Sequence, residues 1–254
     1  MECMIHSFLL IGQSNMAGRG FANEVEPIKN SNIKVLRNGR WQNMYVPVNC
    51  DRWFSGVCLA ESFADAYAKE HHVDVGLIPC ADGGTCLDQW QVGGLLFSHA
   101  LYQAELASRT STIAGVLWHQ GESDCQEHAY PYYEEKCTAI LNAFREKLDL
   151  YDVPFLVGGL GDYLVNRKED SYLGENYQHV NAALKNMAKK NEMMGFVSAE
   201  GLASNPDNLH FSAASLREFG LRYYDKFKEL ENKDKVFEEK PEADAAIRNA
   251  MELL

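Results

Sequence analysis

The sequence predicts an α/β protein built on a parallel sheet that helices cover on both faces. Five short apolar runs are typical of buried strands, and amphipathic helical patterns alternate with them along the chain. This regular order favours a parallel sheet, because a helix that crosses back between parallel strands packs onto the sheet. We therefore expect five parallel strands with helices on either side.

Each predicted strand ends in a polar cluster. In an open parallel sheet, ligands bind at the carboxyl ends of the strands, where the following loops meet. The clusters are therefore predicted to share one edge of the sheet. The five runs are Phe8–Ile11, Val73–Pro79, Ile113–Trp118, Val153–Leu160 and Phe196–Ser198, and they lead to Ser14, Gly83, Gln120, Asp162 and the Asp207/His210 pair.

Apolar residues recur at helical spacing between these strands. One further stretch, 33–46, has Gly39 between two short β-like runs, and we interpret it as a hairpin that interrupts the alternation. The predicted helices cover Val57–Ala68, Phe97–Leu106, Tyr133–Leu148, Tyr177–Met187 and Leu216–Phe227.

Length and composition indicate one globular domain. The chain has 254 residues, of which 46% are hydrophobic and 24% charged. We assign residues 1–230 to the domain and 231–254 to an acidic tail, with a short helix over Ala243–Leu254, docked on the same domain. The net charge of −12 argues against nucleic acid or an anionic membrane as a partner.

The seven cysteines form no CxxC pair, so neither a zinc ribbon nor a thioredoxin-type redox site is indicated. The N-terminal sequence has no basic leader, and its apolar run continues directly into the predicted first strand. A cytoplasmic protein without a membrane span is expected.

Ser14 follows the first predicted strand directly and is a candidate nucleophile. A serine hydroxyl needs a base that takes its proton and donors that stabilise the oxyanion. A helix N-cap is the commoner role for a serine after a strand, and Ser14 alone favours that interpretation.

Asp207 and His210 supply the missing base. They lie three residues apart beside Pro206, so both side chains can point into one cleft. An aspartate that accepts the imidazole Nδ1 proton leaves Nε2 free to face a serine. A loop aspartate beside a helix-start histidine is the alternative, and pairing with Ser14 favours catalysis.

Gly83 and Gln120 are candidate oxyanion donors. A glycine lets a backbone N–H approach a substrate closely, and a glutamine amide adds a side-chain donor. A tight turn and a surface glutamine are the alternatives. A zinc site formed by His119, Glu122, Asp207 and His210 is less favoured, because His119 and Glu122 have no helical HExxH frame.

Four blocks of the sequence belong together: GQSNMAGRG at 12–20, GGT at 83–85, WHQGESD at 118–124 and DNLH at 207–210. Together they resemble the SGNH hydrolases, specifically the carbohydrate esterase branch of sialate O-acetylesterase-like and acetylxylan esterase-like proteins. The resemblance covers about residues 5–228.

The resemblance implies a three-layer, flavodoxin-like fold with Ser14 as nucleophile, His210 as base and Asp207 orienting it. The N–H groups of Ser14 and Gly83 would form the oxyanion hole, with Gln120 at the position where most SGNH hydrolases have an asparagine. We also expect residues near the site to bind substrate or support the catalytic groups: Gln13, Asn15, Arg19, Trp90, Glu122 and Asp162.

The function predicted is a carbohydrate O-acetylesterase that works by acyl transfer and needs no metal or cofactor. Its expected partner is an acetylated sugar, either a xylo-oligosaccharide or a sialic acid. Two alternatives remain open: a lipase-like or thioesterase activity on the same triad, and a catalytically silent sugar-binding protein. The sequence predicts no oligomeric state.

Overall fold

A mixed seven-stranded sheet forms the centre of the molecule. The computed structural model describes residues 5–231, so the predicted tail at 231–254, except for Glu231, and its helix lie outside the described residues. The strand order is β3-β2-β4-β1-β5-β6-β7. The strands are β1 (Ile5–Gly12), β2 (Ile33–Arg37), β3 (Arg40–Asn43), β4 (Val75–Pro79), β5 (Ser111–His119), β6 (Phe155–Gly158) and β7 (Met194–Val197).

The five predicted strands are present and parallel, but the prediction of five strands in all was wrong. The hairpin expected at 33–46 extends the sheet instead of interrupting it. Strand β2 pairs in parallel with β4, and β3 pairs antiparallel with β2 at the edge. Ile33 and Val35 are fully buried, so this short run contributes to the core as the longer ones do. Asn38 and Gly39 have φ of 51° and 74°, which suits a two-residue hairpin turn.

Helices cover both faces of the sheet. Phe8 and Leu9 on β1 point to opposite faces, and both side chains are fully buried. Helices α2 and α6 pack against one another, while α3 contacts α4 and α4 contacts α5. The helices are α1 (Ser14–Ala17), α2 (Ala60–His71), α3 (Leu95–Ser108), α4 (Tyr133–Lys147), α5 (Ser171–Lys190) and α6 (Ala213–Glu231).

Aromatic side chains fill the layer between β1 and the α2/α6 pair. The ring of Phe8 makes edge contacts with Phe63, Tyr67 and Phe227, with centroids 4.8 to 5.7 Å apart. Such contacts add to the free energy gained by burying the rings. Within residues 5–231, no helix is both long and apolar enough to cross a membrane.

Candidate active site

The nucleophile candidate lies where the chain leaves β1. Gly12 has φ of 131°, and a Cβ built there would lie 2.1 Å from the backbone oxygen of His119 on β5. Only glycine tolerates both the conformation and this close approach. The chain therefore turns sharply beside β5, and Ser14 becomes the first residue of the one-turn helix α1.

Three side chains form a continuous hydrogen-bonded relay at this edge of the sheet. The Oγ of Ser14 lies 3.0 Å from Nε2 of His210, and Nδ1 of His210 lies 2.6 Å from Oδ2 of Asp207. Residues almost two hundred positions apart in sequence are thus in direct contact. The relay has the geometry that a nucleophile, its base and an orienting carboxylate require.

The turn that carries His210 also fixes the Asp207 carboxylate. Its Oδ1 accepts the backbone N–H groups of Leu209 and His210, each at 3.0 Å. Burial would raise the pKa of Asp207. Hydrogen bonds from the His210 side chain and from the two N–H groups, together with the charge of His210, outweigh burial and lower the pKa to about 2. Asp207 is therefore ionised throughout the neutral range.

Asn15 and Glu122 hold the histidine turn against the end of β1. The fully buried Asn15 side chain donates to the backbone oxygen of Leu209 at 3.2 Å and accepts the N–H of Phe211 at 3.1 Å. These two backbone groups flank His210. Glu122 Oε1 in turn accepts from Asn15 Nδ2 at 2.5 Å. Both residues, predicted to support the site, thus hold the backbone on either side of His210.

Arg19 joins the cleft wall to the loop after β4. It forms a two-point ion pair with Asp51, whose Oδ2 also accepts the backbone N–H of Gly83 at 2.8 Å. Burial raises the pKa of Asp51. The hydrogen bonds from Arg19, Ser55 and Gly83, with the Arg19 charge, more than offset burial and leave this pKa lowered. The predicted oxyanion donor Gly83 thus already has a protein acceptor.

Gln120 does not face the cleft, contrary to its predicted role as a direct oxyanion donor. It is fully buried, and its Nε2 donates to the backbone oxygen of Thr85 and to Oδ2 of Asp124, at 3.1 and 2.6 Å. A third acceptor, Oε1 of Gln13, lies at 3.1 Å. An amide nitrogen has two protons, so these buried acceptors already use all the donors of Gln120.

Two further predicted substrate residues lie away from the cleft. Trp90 is fully buried, packs against Trp118 and donates to Thr85 Oγ1 at 3.0 Å, so it belongs to the core. Asp162 lines a different cavity, where its Oδ2 accepts the N–H of Gly201. Large aromatic side chains are usually buried, and the sequence pattern does not reveal whether Trp90 is a core residue or a residue that stacks on a sugar.

The cleft around Ser14 and His210 has a volume of about 320 Å³. Sequence reasoning missed several residues that line it, including Arg52, Phe54, Asp170 and Leu173, because they lie in loops without a recognisable motif. Asp51 was missed for the same reason. The lining residues are Gln13, Ser14, Arg19, Arg52, Phe54, Gly83, Gly84, Glu122, Ser123, Asp170, Tyr172, Leu173, Leu209 and His210.

The residues of the alternative zinc site do not converge. His119 is fully buried between the rings of Phe211 and Phe219, and its Nε2 lies 3.2 Å from the backbone oxygen of Gly159. In the part of the chain that the structure describes, no three histidine, cysteine or acidic side chains cluster as metal ligands would.

Comparison with known proteins identifies the family. The model of the carbohydrate esterases described as sialic acid-specific acetylesterases matches residues 4–229. The chain belongs to this family. It is thus a serine-type carbohydrate esterase, as the sequence motifs predict.

Relatives of this esterase share its fold across nearly their whole length. A probable carbohydrate esterase from Arabidopsis thaliana is 28% identical over 240 residues, which cover 84% of this chain and 86% of the relative. The solved structure of that Arabidopsis protein superimposes with a TM-score of 0.76 at 27% identity, covering 88% of this chain and 98% of its own.

Two more distant structures share the fold. NanS has a TM-score of 0.69 at 18% identity, with 89% of this esterase and 97% of NanS covered. A carbohydrate acetylesterase from Xanthomonas citri has a TM-score of 0.65 at 17% identity, with 86% and 55% covered. These two structures therefore share the α/β fold of this chain.

Proposed function

We propose that this esterase removes O-acetyl groups from acetylated sugars by acyl transfer through Ser14, His210 and Asp207. The observation that carries the proposal is the unbroken relay from Ser14 Oγ through the imidazole to the Asp207 carboxylate, which opens into a cleft. A serine placed only as a helix cap would not require a histidine and a carboxylate in line behind it.

The reaction follows from this geometry. Ser14 Oγ bonds to the acetyl carbonyl carbon while His210 Nε2 takes the hydroxyl proton, and the carbonyl π electrons move to the oxygen. The C–O bond to the sugar then breaks, and His210 returns the proton to the sugar oxygen. Water attacks the acetyl-serine in the same way and releases acetate. The ionised Asp207 stabilises the imidazolium that forms in each half.

The cleft favours a short acyl group on a polar alcohol. A volume of about 320 Å³ accommodates an acetyl group and part of a sugar ring. Arg52 and Asp170 on its walls suit hydroxyl groups better than a long apolar chain, which disfavours the lipase or thioesterase alternative. The substrates we propose are acetylated xylo-oligosaccharides or O-acetylated sialic acids. The cytoplasmic location stays a prediction.

Acetate release from a panel of esters tests this function. We expect turnover of acetylated xylo-oligosaccharides or O-acetyl sialic acids, weak turnover of p-nitrophenyl octanoate, and a loss of about 10⁴- to 10⁶-fold in kcat in Ser14→Ala. Ser14→Ala should retain the wild-type circular dichroism spectrum and melting temperature. A variant that kept a tenth of the wild-type turnover would refute the nucleophile, and a preference for the octanoate would refute the substrate class. A silent sugar-binding protein would release no acetate at all.

A further inference from the structure

One wall of the cleft continues outwards as two exposed aromatic rings. Phe54 lines the cleft together with Ser14 and His210, and its side chain is exposed. The neighbouring Trp53 does not line the cleft, but its ring contacts that of Phe54 edge to face, with the centroids 5.3 Å apart. The two rings therefore form one aromatic surface that begins in the cleft and extends beyond it.

The fold gains little from Trp53. Its side chain is 95% exposed, and among the described residues its one ring contact is with Phe54 and its indole N–H has no acceptor. An indole left in water gives up the free energy that burial of its apolar area would provide. Single exposed apolar residues are common, but two in contact beside a cleft are typical of a surface that binds a ligand.

The turn that carries the two rings is ordered by its own hydrogen bonds. Ser55 Oγ donates to Oδ1 of Asp51 at 2.8 Å and accepts the N–H of Arg52 at 3.1 Å. Asp51 is in turn fixed by Arg19, whose guanidinium carbon lies 5.2 Å from the centre of the Phe54 ring. The backbone of the turn is therefore in place before a ligand arrives, which lowers the entropic cost of binding.

The charges beside the rings suit a neutral ligand. Both arginines that line the cleft already have carboxylate partners: Arg19 pairs with Asp51 at 2.6 Å, and Arg52 pairs with Asp82 at 2.9 Å. A carboxylate on the substrate would have to displace an aspartate to gain an ion pair of its own. A neutral sugar ring needs no such exchange, because its C–H groups pack against the negative face of an aromatic ring.

We propose that Phe54 and Trp53 form a stacking platform for a neutral acetylated oligosaccharide. The acetylated ring lies in the cleft beside Phe54, and the adjoining ring lies against Trp53. Since Trp53 does not line the cleft, only a substrate with a further ring reaches it. This inference rests on the proposed acetylesterase function and narrows its two candidate substrate classes to neutral oligosaccharides.

The dependence of kcat/KM on chain length tests the platform. The substrates are xylose, xylobiose and xylotriose with one acetyl group each. We expect kcat/KM to rise by about tenfold from the acetylated monosaccharide to the trisaccharide in the wild type, and to rise by less than about twofold in Trp53→Ala. Trp53→Phe keeps an aromatic face and should retain a rise of at least about threefold. Tyr102→Ala is the matched control, because it removes an exposed ring on α3 that does not line the cleft, and it should show the full wild-type rise.

A binding measurement complements the kinetics. Ser14→Ala titrated with the acetylated trisaccharide should show a saturable change in tryptophan fluorescence, because the ligand covers the exposed Trp53. The change should be absent from Ser14→Ala/Trp53→Ala. An equal change in both variants would overturn the platform.

The kinetic outcomes also separate this inference from the function on which it rests. Release of acetate from none of the esters would refute the acetylesterase function. Hydrolysis of acetylated xylose with no gain from added rings, or an undiminished gain in Trp53→Ala, would refute only the platform. O-acetylated N-acetylneuraminic acid, which carries a carboxylate, should have a lower kcat/KM than the acetylated trisaccharide, and the reverse order would overturn the neutral substrate class.

Discussion

Replacing Asp207 with asparagine should slow catalysis strongly by fixing the wrong tautomer of His210. Oδ1 of Asp207 accepts two backbone N–H groups at 3.0 Å, while Oδ2 faces His210 Nδ1 at 2.6 Å. An asparagine side chain would keep its oxygen at the two N–H donors. Its NH₂ group would then point at Nδ1 and force that nitrogen to accept. The proton would move to Nε2, which could no longer take the proton of Ser14.

The size of the effect follows from what the asparagine removes. A triad with the wrong tautomer loses about 10⁴-fold in kcat when the carboxylate is buried. The Asp207 side chain is 41% exposed, so water already screens part of its charge. The tautomer effect does not depend on that screening. We therefore expect a loss of about 10³- to 10⁴-fold, equivalent to about 4 to 5.5 kcal/mol in the activation barrier.

Steady-state kinetics with p-nitrophenyl acetate and ¹⁵N NMR of the His210 ring measure the two parts of this prediction. The NMR spectrum should show Nδ1 protonated in the wild type and Nε2 protonated in Asp207→Asn. Asp149→Asn is a matched control, because Asp149 has φ of 54°, which asparagine tolerates, and precedes β6 at the opposite edge of the sheet. A variant that kept a tenth of the wild-type kcat, or that kept the proton on Nδ1, would refute the reasoning.

Two further predictions concern stability. Arg217→Met should lower the free energy of unfolding by about 3 kcal/mol, because it leaves the fully buried carboxylate of Glu61 without its ion-pair partner at 2.6 Å. Urea unfolding measures this loss, and adding Glu61→Gln should recover part of it. An unchanged unfolding midpoint in Arg217→Met would contradict the prediction. Asp207 has a pKa of about 2 in the folded protein, below its unfolded value of about 3.9, so its ionisation stabilises the fold above about pH 4 and this contribution disappears as the pH falls towards 2. The melting-temperature difference between wild type and Asp207→Asn should therefore shrink between pH 5 and 3, and a constant difference would show that the carboxylate makes no such contribution.

Much of the fold was predictable because its strands are buried on both faces. A run such as Phe8–Ile11 has no polar residue, and only a central strand of a covered sheet requires that. The strands β2 and β3, which form one side of the sheet, were harder to assign. They are short, β2 is only partly buried and β3 has no buried residue, and a hairpin pattern does not reveal whether the hairpin joins a neighbouring sheet.

The relay was predictable for a different reason. A serine nucleophile needs a base, and a histidine base needs an acceptor that orients it. The positions of Ser14, Asp207 and His210 after predicted strands therefore predicted that the three side chains meet. Asp51 had no such signal. Its importance comes from bringing Arg19 and Gly83 together, and the sequence between the hairpin and α2 contains no pattern that places it there.

The polar residues of the GQSNMAGRG and WHQGESD blocks stabilise the fold as well as forming the candidate site. Strands β1 and β5 end side by side. There the amide of Gln120 donates to that of Gln13, and the amide of Asn15 donates to the carboxylate of Glu122. A buried polar group costs free energy unless it is hydrogen-bonded, so each block needs the other to be folded beside it. Matching these blocks in a sequence therefore shows that the two strand ends meet.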